Sequence, residues 1–585
     1  MMRYSRAAFL LAILILPAAF AWGPRTHIEI AHRSMDHLGG VFPELDDFCS
    51  DYRGAIFSGS TFPDWAFVVI DDAYSYHAHS PTFAAIYWEH LLEKYPDMST
   101  ETAKKELAFY IGVLAHLYSD RVWHGYHDPP DTSSCLEVGM STDATTEEVI
   151  EGGLDVINSY EYSIPSFSWF WPLETLEEVY HLYGDTAVTR SDLSTGTTGL
   201  ETAFATVEGT GYYTYLATRS SIPWTYDNYM DFYPGGIFHC TEITAYYARL
   251  RWAEAVSGAF VYQRSEHDCG YLATEDVHLS ADNPANNTGR EPELNATSSG
   301  AGHGATLFRW ELSGFDLTGR VLDSARVFLY HSGRAGSISG DRMLSVYAMN
   351  ADWVEGILAD ASESSFEGAP MSSGDGYSCW THREYDSNPW VSPGADGVPA
   401  DRAGSPAGSR VLNTATAMPS WISWDVYGIA LAWLGDLLEN KGILLREDSA
   451  PASGVMRFTS GDSREISRHP ILVFYTSPAG VGVPDIPSHP DGFAISAYPN
   501  PFNSAVRISL DGGSESPQAS STLPPGACRV ELFDVNGRRV AQLPSPSIPL
   551  PGGEGGNSFS HWEKVAEGRM RDITWTPDKS LGSGI

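Results

Sequence analysis

The sequence has few basic residues for its length. Among 585 residues, 36 are Lys or Arg and 74 are Asp or Glu, so the formal net charge is -38. A surface of this sign repels nucleic acid and anionic membranes at long range, and this argues against a nucleic-acid partner. Such an acidic surface is typical of a protein that has to stay soluble outside the cell.

The sequence also lacks paired thiols and long apolar runs. None of its six cysteines forms a C-x-x-C pair, which argues against a thiolate zinc knuckle. Disulfides are open to an exported chain, but the sequence does not say which cysteines pair, if any. Beyond the amino terminus, no segment approaches the roughly 18 continuous apolar residues that a membrane-spanning helix needs. Only peripheral contact with a membrane is expected.

The amino terminus has the three parts of a secretory signal. Arg3 and Arg6 precede a short apolar run, and Ala19–Ala21 is an A-x-A cleavage site. These features predict that residues 1–21 are removed and that the protein is secreted or held at the outer cell surface. The alternative is a retained membrane anchor, for which the apolar run is short.

The periodicity of the sequence predicts a multidomain protein that begins with an all-α domain. Residues 22–262 contain apolar positions spaced three to four apart, which indicates helices. The predicted helices are Thr82–Lys94, Ala103–Asp120, Glu147–Tyr160 and Thr244–Ala255.

Short β-type runs separated by turn residues follow the helical part. In residues 263–477 they predict a jelly-roll-like β-sandwich, with strands at Ala305–Leu312, Ala325–Tyr330, Leu344–Met349 and Ile471–Tyr475. Residues 478–492 are a linker rich in Pro and Gly. Residues 493–585 are predicted to form a small Ig-like β domain, with strands at Ala494–Ala497, Ala505–Leu510 and Arg529–Asp534.

The helical domain contains metal-binding residue types at regular spacing. His116, Asp120 and His124 are four residues apart each time, so they lie along one stripe of a helix. Glu147, Glu151 and Asp155 repeat this spacing on a second predicted helix. Further candidates, outside these helices, are His27, Asp64, His77 and His79. Hydrolytic zinc sites use His nitrogens and carboxylate oxygens and leave a position open for water.

Each of these elements has an ordinary explanation when it is taken alone. A single helical His is usually packed or exposed without a metal, and carboxylates at i, i+4 usually form a solvated helix face. The whole order, from W-x4-H through P-D, H and H-x3-D-x3-H to E-x3-E, is much harder to produce by chance. The combined order therefore predicts a metal centre.

Several stretches of residues 22–262 resemble the zinc-dependent phospholipase C/D superfamily. Within it the likeness is greatest to the catalytic domain of glycosylphosphatidylinositol-specific phospholipase D, and it extends to the zinc architecture of bacterial phospholipase C and fungal single-strand nucleases. The stretches that carry it are T-H-I-E-I-A-H-R at Thr26–Arg33, G-S-T-F-P-D at Gly59–Asp64, H-S-P-T-F at His79–Phe83, F-Y-I-G-V-L-A-H-L-Y-S-D-R-V-W-H at Phe109–His124, E-G-G-L-D-V-I-N-S-Y-E at Glu151–Glu161 and D-F-Y-P-G-G-I-F-H-C at Asp231–Cys240.

The resemblance implies up to three zinc ions. The first would be held by the freed amino terminus of Trp22 together with His27 and Asp120. The second would be held by Asp64, His79 and His116, with Asp120 as a bridging ligand. The third would be held by His124, Glu147 and Glu151.

This sequence departs from the family pattern in the third site. The family usually has His where this chain has Glu147, so the site is more anionic and a different divalent ion is a reasonable expectation. His127 is an alternative ligand there. In the second site, register with the family favours His79 over His77.

The resemblance implies a secreted phosphodiesterase that acts on phospholipid or on a glycolipid anchor by metal-activated water. Asp64 is the candidate for orienting or deprotonating that water, and Asp120 for bridging the metals. A single-strand nuclease of the same fold and a surface-adhesion protein with a degenerate site remain as alternatives. The sequence does not distinguish C-type from D-type cleavage.

The remaining domains have resemblances of their own. Residues 263–477 resemble the DNRLRE-type β-sandwich of secreted proteins, through T-L-F-R-W-E-L at Thr306–Leu312 and H-P-I-L-V-F-Y at His469–Tyr475. Some members of that group bind carbohydrate, so a glycan or cell-surface ligand is one expectation and a structural spacer is the other. The tail resembles a type IX secretion sorting domain, through Y-P-N-P-F-N-S-A-V-R-I-S-L at Tyr498–Leu510.

Overall fold

The computed structural model divides the chain into two compact units, residues 1–479 and 480–585. It describes residues 23–67, 72–124, 135–265, 271–297, 304–312, 314–336, 340–359, 368–449 and 454–479, and five strands of the second unit. The predicted signal at 1–21 and most of the predicted linker lie outside these residues. Among the described residues, no helix is both long and apolar enough to cross a membrane.

The first unit begins with a helical part, as the periodicity predicts. Its described helices are α1 Pro24–Ser34, α2 Pro43–Asp51, α3 Arg53–Thr61, α4 Asp72–Ala78, α5 Pro81–Lys94, α6 Glu101–Trp123, α7 Leu136–Met140, α8 Glu147–Glu161, α9 Leu173–Tyr183, α10 Arg190–Glu208, α11 Tyr212–Ser221, α12 Pro223–Asn228 and α13 Ile237–Trp252. Hydroxyl caps fix several helix starts: Ser80 accepts from the Thr82 amide and Thr100 from the Ala103 amide.

Helix α6 is the centre of the helical part. It packs against α3, α5 and α13. Apolar side chains such as Leu107 and Leu114 are buried on some of its sides, and the polar His116 and Asp120 are buried on another. A helix that is enclosed on every side has no solvent face, and its polar residues are therefore placed inside the protein.

Antiparallel strands form the second part of the first unit. They are β1 Ala259–Gln263, β2 Thr274–Ser280, β3 Asn286–Asn287, β4 Glu293–Ala296, β5 Gly304–Trp310, β6 Arg320–Ala335, β7 Arg342–Ala348, β8 Ala369–Pro370, β9 His382–Glu384, β10 Asn388–Pro389, β11 Gly408–Leu412, β12 Ser420–Asp425, β13 Ile443–Glu447, β14 Val455–Thr459 and β15 Ile471–Pro478. A short helix, α14 Tyr427–Leu434, packs against β6.

Two larger sheets share one hydrophobic core. One has the order β1-β15-β6-β14-β4 with β12 also paired to β6, and the other has the order β11-β7-β13-β5-β2. Phe458 and Phe474 from the first sheet and Phe308 and Leu445 from the second are buried in that core. The chain is therefore a multidomain protein with a helical part followed by antiparallel sheets.

The outer face of the six-stranded sheet packs against the helices. Along β15, Leu472 and Phe474 belong to the core between the sheets, while the alternate residues Ile471 and Val473 belong to the helical core. This division follows from the two-residue repeat of a strand. Strand β1 begins at Ala259, so the predicted boundary at 262 falls inside a strand of this sheet.

The second unit contains short antiparallel strands. These are β16 Phe493–Tyr498, β17 Val506–Gly512, β18 Val530–Phe533, β19 Arg539–Leu543 and β20 Arg571–Trp575. They pair in the order β16-β17-β20, with β18 paired to β19. Three of them overlap the strands expected at Ala494–Ala497, Ala505–Leu510 and Arg529–Asp534.

Four cysteines lie among the described residues, and all four are free and buried: Cys49, Cys135, Cys240 and Cys379. Cys269 and Cys528 lie outside the described residues.

Candidate metal centre

Four elements of the helical part bring His and Asp side chains to one buried place. Helix α6 supplies His116 and Asp120 one turn apart, and α1 supplies His27. The turn at Phe62–Ala66, directly after α3, supplies Asp64, and His79 follows the end of α4. His27, Asp64, His116 and Asp120 are buried, and His79 is partly buried.

Backbone carbonyls fix how two of the histidines face this place. His116 Nδ1 lies 2.8 Å from the Ser60 carbonyl oxygen, and His79 Nδ1 lies 2.8 Å from that of Ser75. A carbonyl only accepts, so each Nδ1 carries a proton and each ring turns its Nε2 towards the cluster. The two Nε2 atoms face each other at 2.9 Å. Two such nitrogens need a proton or a metal ion to hold them together.

The two aspartates bring oxygens to the same point. Asp120 Oδ2 lies 3.2 Å from His79 Nε2 and 3.3 Å from His116 Nε2. Asp64 Oδ1 lies 3.5 Å and 3.6 Å from the same two nitrogens. Both oxygens of each aspartate are buried, and none has a hydrogen bond of normal geometry within the described residues.

His27 completes the cluster from the other side of Asp120. Its ring stacks on that of His116 with centroids 3.7 Å apart, and its Nε2 lies 3.5 Å from Asp120 Oδ1. Neither ring nitrogen of His27 has a hydrogen-bond partner within the described residues, although both are buried. Buried polar atoms without partners are rare, because each costs about 1–3 kcal/mol.

The charges in the cluster are strongly coupled. Burial, and then the neighbouring His116, hold the pKa of His27 well below its usual value. Burial opposes ionisation of Asp120, but His116 and His27 outweigh it and keep the pKa of this carboxyl well below its usual value. Burial also opposes protonation of His79, but Asp120 and Asp64 outweigh it and raise the pKa of His79 to about 10. The Asp120 carboxylate is thus ionised and requires positive charge beside it.

The residues present fit a zinc centre. Two groups each have one ligand atom per residue, all within 4.8 Å of one another: His27, His116 and Asp120, and Asp64, His79 and His116. Imidazole nitrogen and carboxylate oxygen are the donors that hydrolytic zinc uses, and in this cluster the otherwise unpartnered atoms are of these two kinds.

The residues predicted for a third site are only partly described. His124 follows the end of α6, and its Nδ1 lies 2.9 Å from Glu137 Oε2. Glu151 is buried in α8. Glu147 is the first residue of α8, but the structure does not describe its side chain. His127, the alternative ligand, and Trp22 of the first predicted site also lie outside the described residues. His77 is separate from the cluster and pairs with Asp185, with its Nδ1 2.6 Å from Oδ2.

Two further residues support the site without belonging to the predicted ligands. Asp155 accepts from the Arg25 amide at 3.1 Å and from the Thr26 amide and hydroxyl at 2.8 Å and 2.7 Å, so it caps α1 just before His27. The four-residue spacing from Glu151 placed Asp155 on the carboxylate stripe of α8. The spacing did not predict its contact with the first turn of α1. Glu137 has no periodic signal, because its contact with His124 depends on the tertiary fold.

Comparison with known proteins relates the helical part to zinc-dependent phospholipases. Residues 26–170 match the family model for zinc dependent phospholipase C, so this segment is a domain of that family. Phosphatidylinositol-glycan-specific phospholipase D from Rattus norvegicus is 23% identical over 293 residues, which cover 48% of this chain and 34% of the rat protein. The protein of the same description from Mus musculus is 24% identical over 244 residues, which cover 38% of this chain and 28% of the mouse protein.

The matches to these relatives are partial. The matched region spans about a third of the length of the rat and mouse proteins. Together with the family match to residues 26–170, it supports a phosphodiester hydrolase.

Proposed function

We propose that the helical part is a zinc-dependent hydrolase of phosphodiester bonds in phospholipids or in glycosylphosphatidylinositol anchors. The observation that carries the proposal is the cluster of buried, unpartnered nitrogen and oxygen atoms on His27, Asp64 and Asp120, beside the facing Nε2 atoms of His79 and His116. The relatives' description as phospholipases that act on phosphatidylinositol-glycan favours a lipid phosphodiester over nucleic acid.

In this proposal zinc supplies positive charge for the phosphate and activates a water molecule near neutral pH. The residues of the chain position that chemistry. Asp120 lies between His27 on one side and His79 with His116 on the other, and would be the bridging ligand. Asp64 is fully buried and lies at the edge of the second group, where it would orient the water or accept its proton.

The proposal includes three zinc ions and a role for the mature amino terminus. His124, Glu147 and Glu151 would hold the third ion, and Trp22 would complete the first site. Helix α1 starts at Pro24, so the residue at position 22 is only a short distance along the chain from His27. Signal cleavage after Ala21 would then be a condition for activity, and the protein would act outside the cell.

The β domain of the first unit and the second unit remain assigned by resemblance only. A carbohydrate or cell-surface ligand for residues 263–477, and a sorting role for residues 493–585, rest on the motifs in the sequence.

The test is to replace Asp120 by Asn in the full chain that starts at Trp22. Zinc is counted by mass spectrometry, and hydrolysis is measured on phosphatidylcholine, phosphatidylinositol, a glycolipid-anchored protein and single-stranded DNA. We expect wild type to release lipid or anchored protein. We expect the variant to lose zinc and to lose activity by at least about 100-fold, since even residues that only support a metal ligand contribute 10- to 100-fold.

Asp47→Asn is the matched control, because Asp47 is exposed on α2 and lies outside the cluster. It should keep full zinc content and activity. Full activity of Asp120→Asn with unchanged zinc would show that the cluster is not the catalytic site. Cleavage of single-stranded DNA without cleavage of any lipid would show that the substrate class is wrong.

A further inference from the structure

A second group of carboxylates lies in the β domain of the first unit. It consists of Asp276 on β2, Glu355 in the segment after β7, and Asp462 in the loop after β14. One carboxylate oxygen of each residue lies within 4.8 Å of those of the other two. The three residues are far apart in the sequence, so the group connects a strand to two loops.

The backbone around this group is held by direct hydrogen bonds. Asp276 accepts from the Ser460 hydroxyl and from the Gly461 amide, both at 2.7 Å. The Asp276 amide donates to Glu355 Oε1 at 2.7 Å, and the Asn287 side chain donates to the Glu355 carbonyl at 2.7 Å. The carboxylates are thus held close together by contacts that do not neutralise their charge.

One carboxylate oxygen of Asp462 accepts none of these hydrogen bonds. Its side chain is only 10% exposed, and its buried Oδ2 has no hydrogen-bond partner within the described residues. Arg264 approaches the group, with Nη1 3.3 Å from Asp462 Oδ1 and 3.9 Å from Glu355 Oε1, but this nitrogen makes no hydrogen bond of normal geometry there. Arg290 and His469 are the other cations that act on Asp462.

The neighbouring cations do not balance the carboxylates. Burial and the charge of Asp462 raise the pKa of Asp276 to about 7. Burial and the charges of Asp276 and Asp462 raise the pKa of Glu355 to about 9. A divalent cation would remove this repulsion and would fill the open position on Asp462.

We propose that Asp276, Glu355 and Asp462 bind a divalent cation of the calcium type. The donors are carboxylate oxygens without nitrogen or sulfur, which suits a hard cation and distinguishes this group from the His-containing centre in the helical part. Three carboxylates from one strand and two loops, with water completing the shell, suit calcium better than magnesium, which requires near-ideal octahedral geometry. The bound ion stabilises the two loops against β2.

The test uses the full chain with its zinc content kept constant. Calcium is titrated up to about 10 mM, because extracellular sites commonly bind it with Kd of about 0.1–1 mM. Bound calcium is counted by equilibrium dialysis, and the melting temperature is recorded at each concentration. We expect one calcium per chain outside the zinc centre and a rise in melting temperature with calcium. Asp462→Asn should weaken calcium binding by at least about tenfold, since affinity follows the number of charged ligands.

The same variant separates a cation site from an internal ion pair with Arg264. In a cation site, Asp462→Asn relieves repulsion between the carboxylates. Without calcium, the melting temperature of the variant therefore equals or exceeds that of wild type. With calcium, the melting temperature of the variant is lower than that of wild type. Asp323→Asn, on the exposed side of β6, should respond to calcium as wild type does. The proposal is wrong if wild type shows no calcium binding or stabilisation. It is also wrong if Asp462→Asn lowers the melting temperature equally with and without calcium.

Discussion

At the scale of single residues, the proposed metal centre depends on contacts behind its candidate ligands. The Ser60 and Ser75 carbonyl oxygens lie 2.8 Å from Nδ1 of His116 and His79, so each ring turns its Nε2 towards the proposed metal site. A metal-bound histidine commonly donates its other N–H to such a carbonyl or to a carboxylate. Glu137 makes such a contact with His124, with Oε2 2.9 Å from Nδ1.

Glu137→Gln is therefore expected to weaken the proposed third zinc site. The carboxylate that holds His124 Nδ1 at 2.9 Å loses its charge, and the imidazole becomes a poorer ligand. We expect the affinity of one zinc to fall by about 10- to 100-fold, measured as zinc content at limiting free zinc. Glu174→Gln, in a part of α9 away from His124, should have no effect. Unchanged content in Glu137→Gln would mean that Glu137 does not support a metal ligand.

Asp155→Ala is expected to destabilise the amino-terminal helix. It removes the carboxylate that accepts three hydrogen bonds from Arg25 and Thr26 in a fully buried setting. The cost should be about 1–3 kcal/mol, because the helix amides lose their cap and stay buried. Urea unfolding of the zinc-free protein measures it.

The matched control for this change is Asp192→Ala, which removes an exposed capping box from α10. Its cost should be about 1 kcal/mol or less, since water replaces the lost contacts. Equal costs for the two variants would contradict the special position given to Asp155.

The sequence predicted the candidate ligands of the proposed centre but not all of the contacts that support them. The four-residue spacing of His116 and Asp120 places them on one helix stripe, and the structure brings them together with His27, Asp64 and His79. The contacts of Ser60 and Glu137 come from elements that meet only in the folded protein, so no local pattern predicts them. Ser75, in contrast, lies one helical turn before His79.

At the scale of elements, the crossing of α3 and α6 positions the centre. Gly59 and Gly112 face each other there: a Cβ on Gly59 would lie 1.9 Å from the Phe109 carbonyl oxygen, and a Cβ on Gly112 would lie 2.1 Å from the Ile56 carbonyl oxygen. The two backbones therefore touch. This close approach lets the Ser60 carbonyl at the end of α3 reach His116 on α6.

Gly59→Ala is expected to separate the two helices and to disturb the centre. Backbone atoms at 1.9 Å cannot yield as a flexible side chain would, so the cost should exceed about 2 kcal/mol. Zinc affinity should fall with it, because His116 loses the Ser60 carbonyl. Thermal unfolding and zinc content measure the two effects.

Gly152→Ala serves as the control, because a Cβ on Gly152 in α8 meets nothing within 4 Å. Alanine is the better helix former, so this variant should be up to about 1 kcal/mol more stable. If Gly59→Ala is also as stable as wild type or more stable, the close approach of α3 and α6 does not exclude a Cβ at this position.

Helix positions were predictable where one face is apolar, and helix ends were less so. The helix expected at Ala103–Asp120 extends from Glu101 to Trp123, and the last one lies at Ile237–Trp252 instead of Thr244–Ala255. Helix α13 is buried on most sides, so its first turns have no clear alternation of polar and apolar residues.

At the scale of the molecule, the helical part and the six-stranded sheet share a core. Phe42 contacts Trp252 of α13 and Tyr475 of β15, with ring centroids 5.6 Å and 6.1 Å apart. Buried Arg249 donates to Gln263 Oε1 at 2.7 Å and to the Ser467 carbonyl at 2.9 Å. The sequence predicted a strand at Ile471–Tyr475, but no local signal says that one face of β15 packs against helices.

Removal of the sheet is therefore expected to destabilise the helical part. A fragment of residues 22–262 lacks β15, so it exposes Phe42 and Trp252 to water and leaves the Arg249 guanidinium without Gln263 and Ser467. Exposed apolar surface of this kind promotes aggregation, and the lost burial of these side chains lowers the free energy of unfolding. A fragment of residues 22–479 keeps all these contacts within one compact unit. We expect it to unfold in a single cooperative transition and to bind zinc, whereas 22–262 should be insoluble or should melt without a cooperative transition. If 22–262 melts at the same temperature as 22–479 and holds the same zinc, the helical part folds independently and the shared core contributes little to its stability.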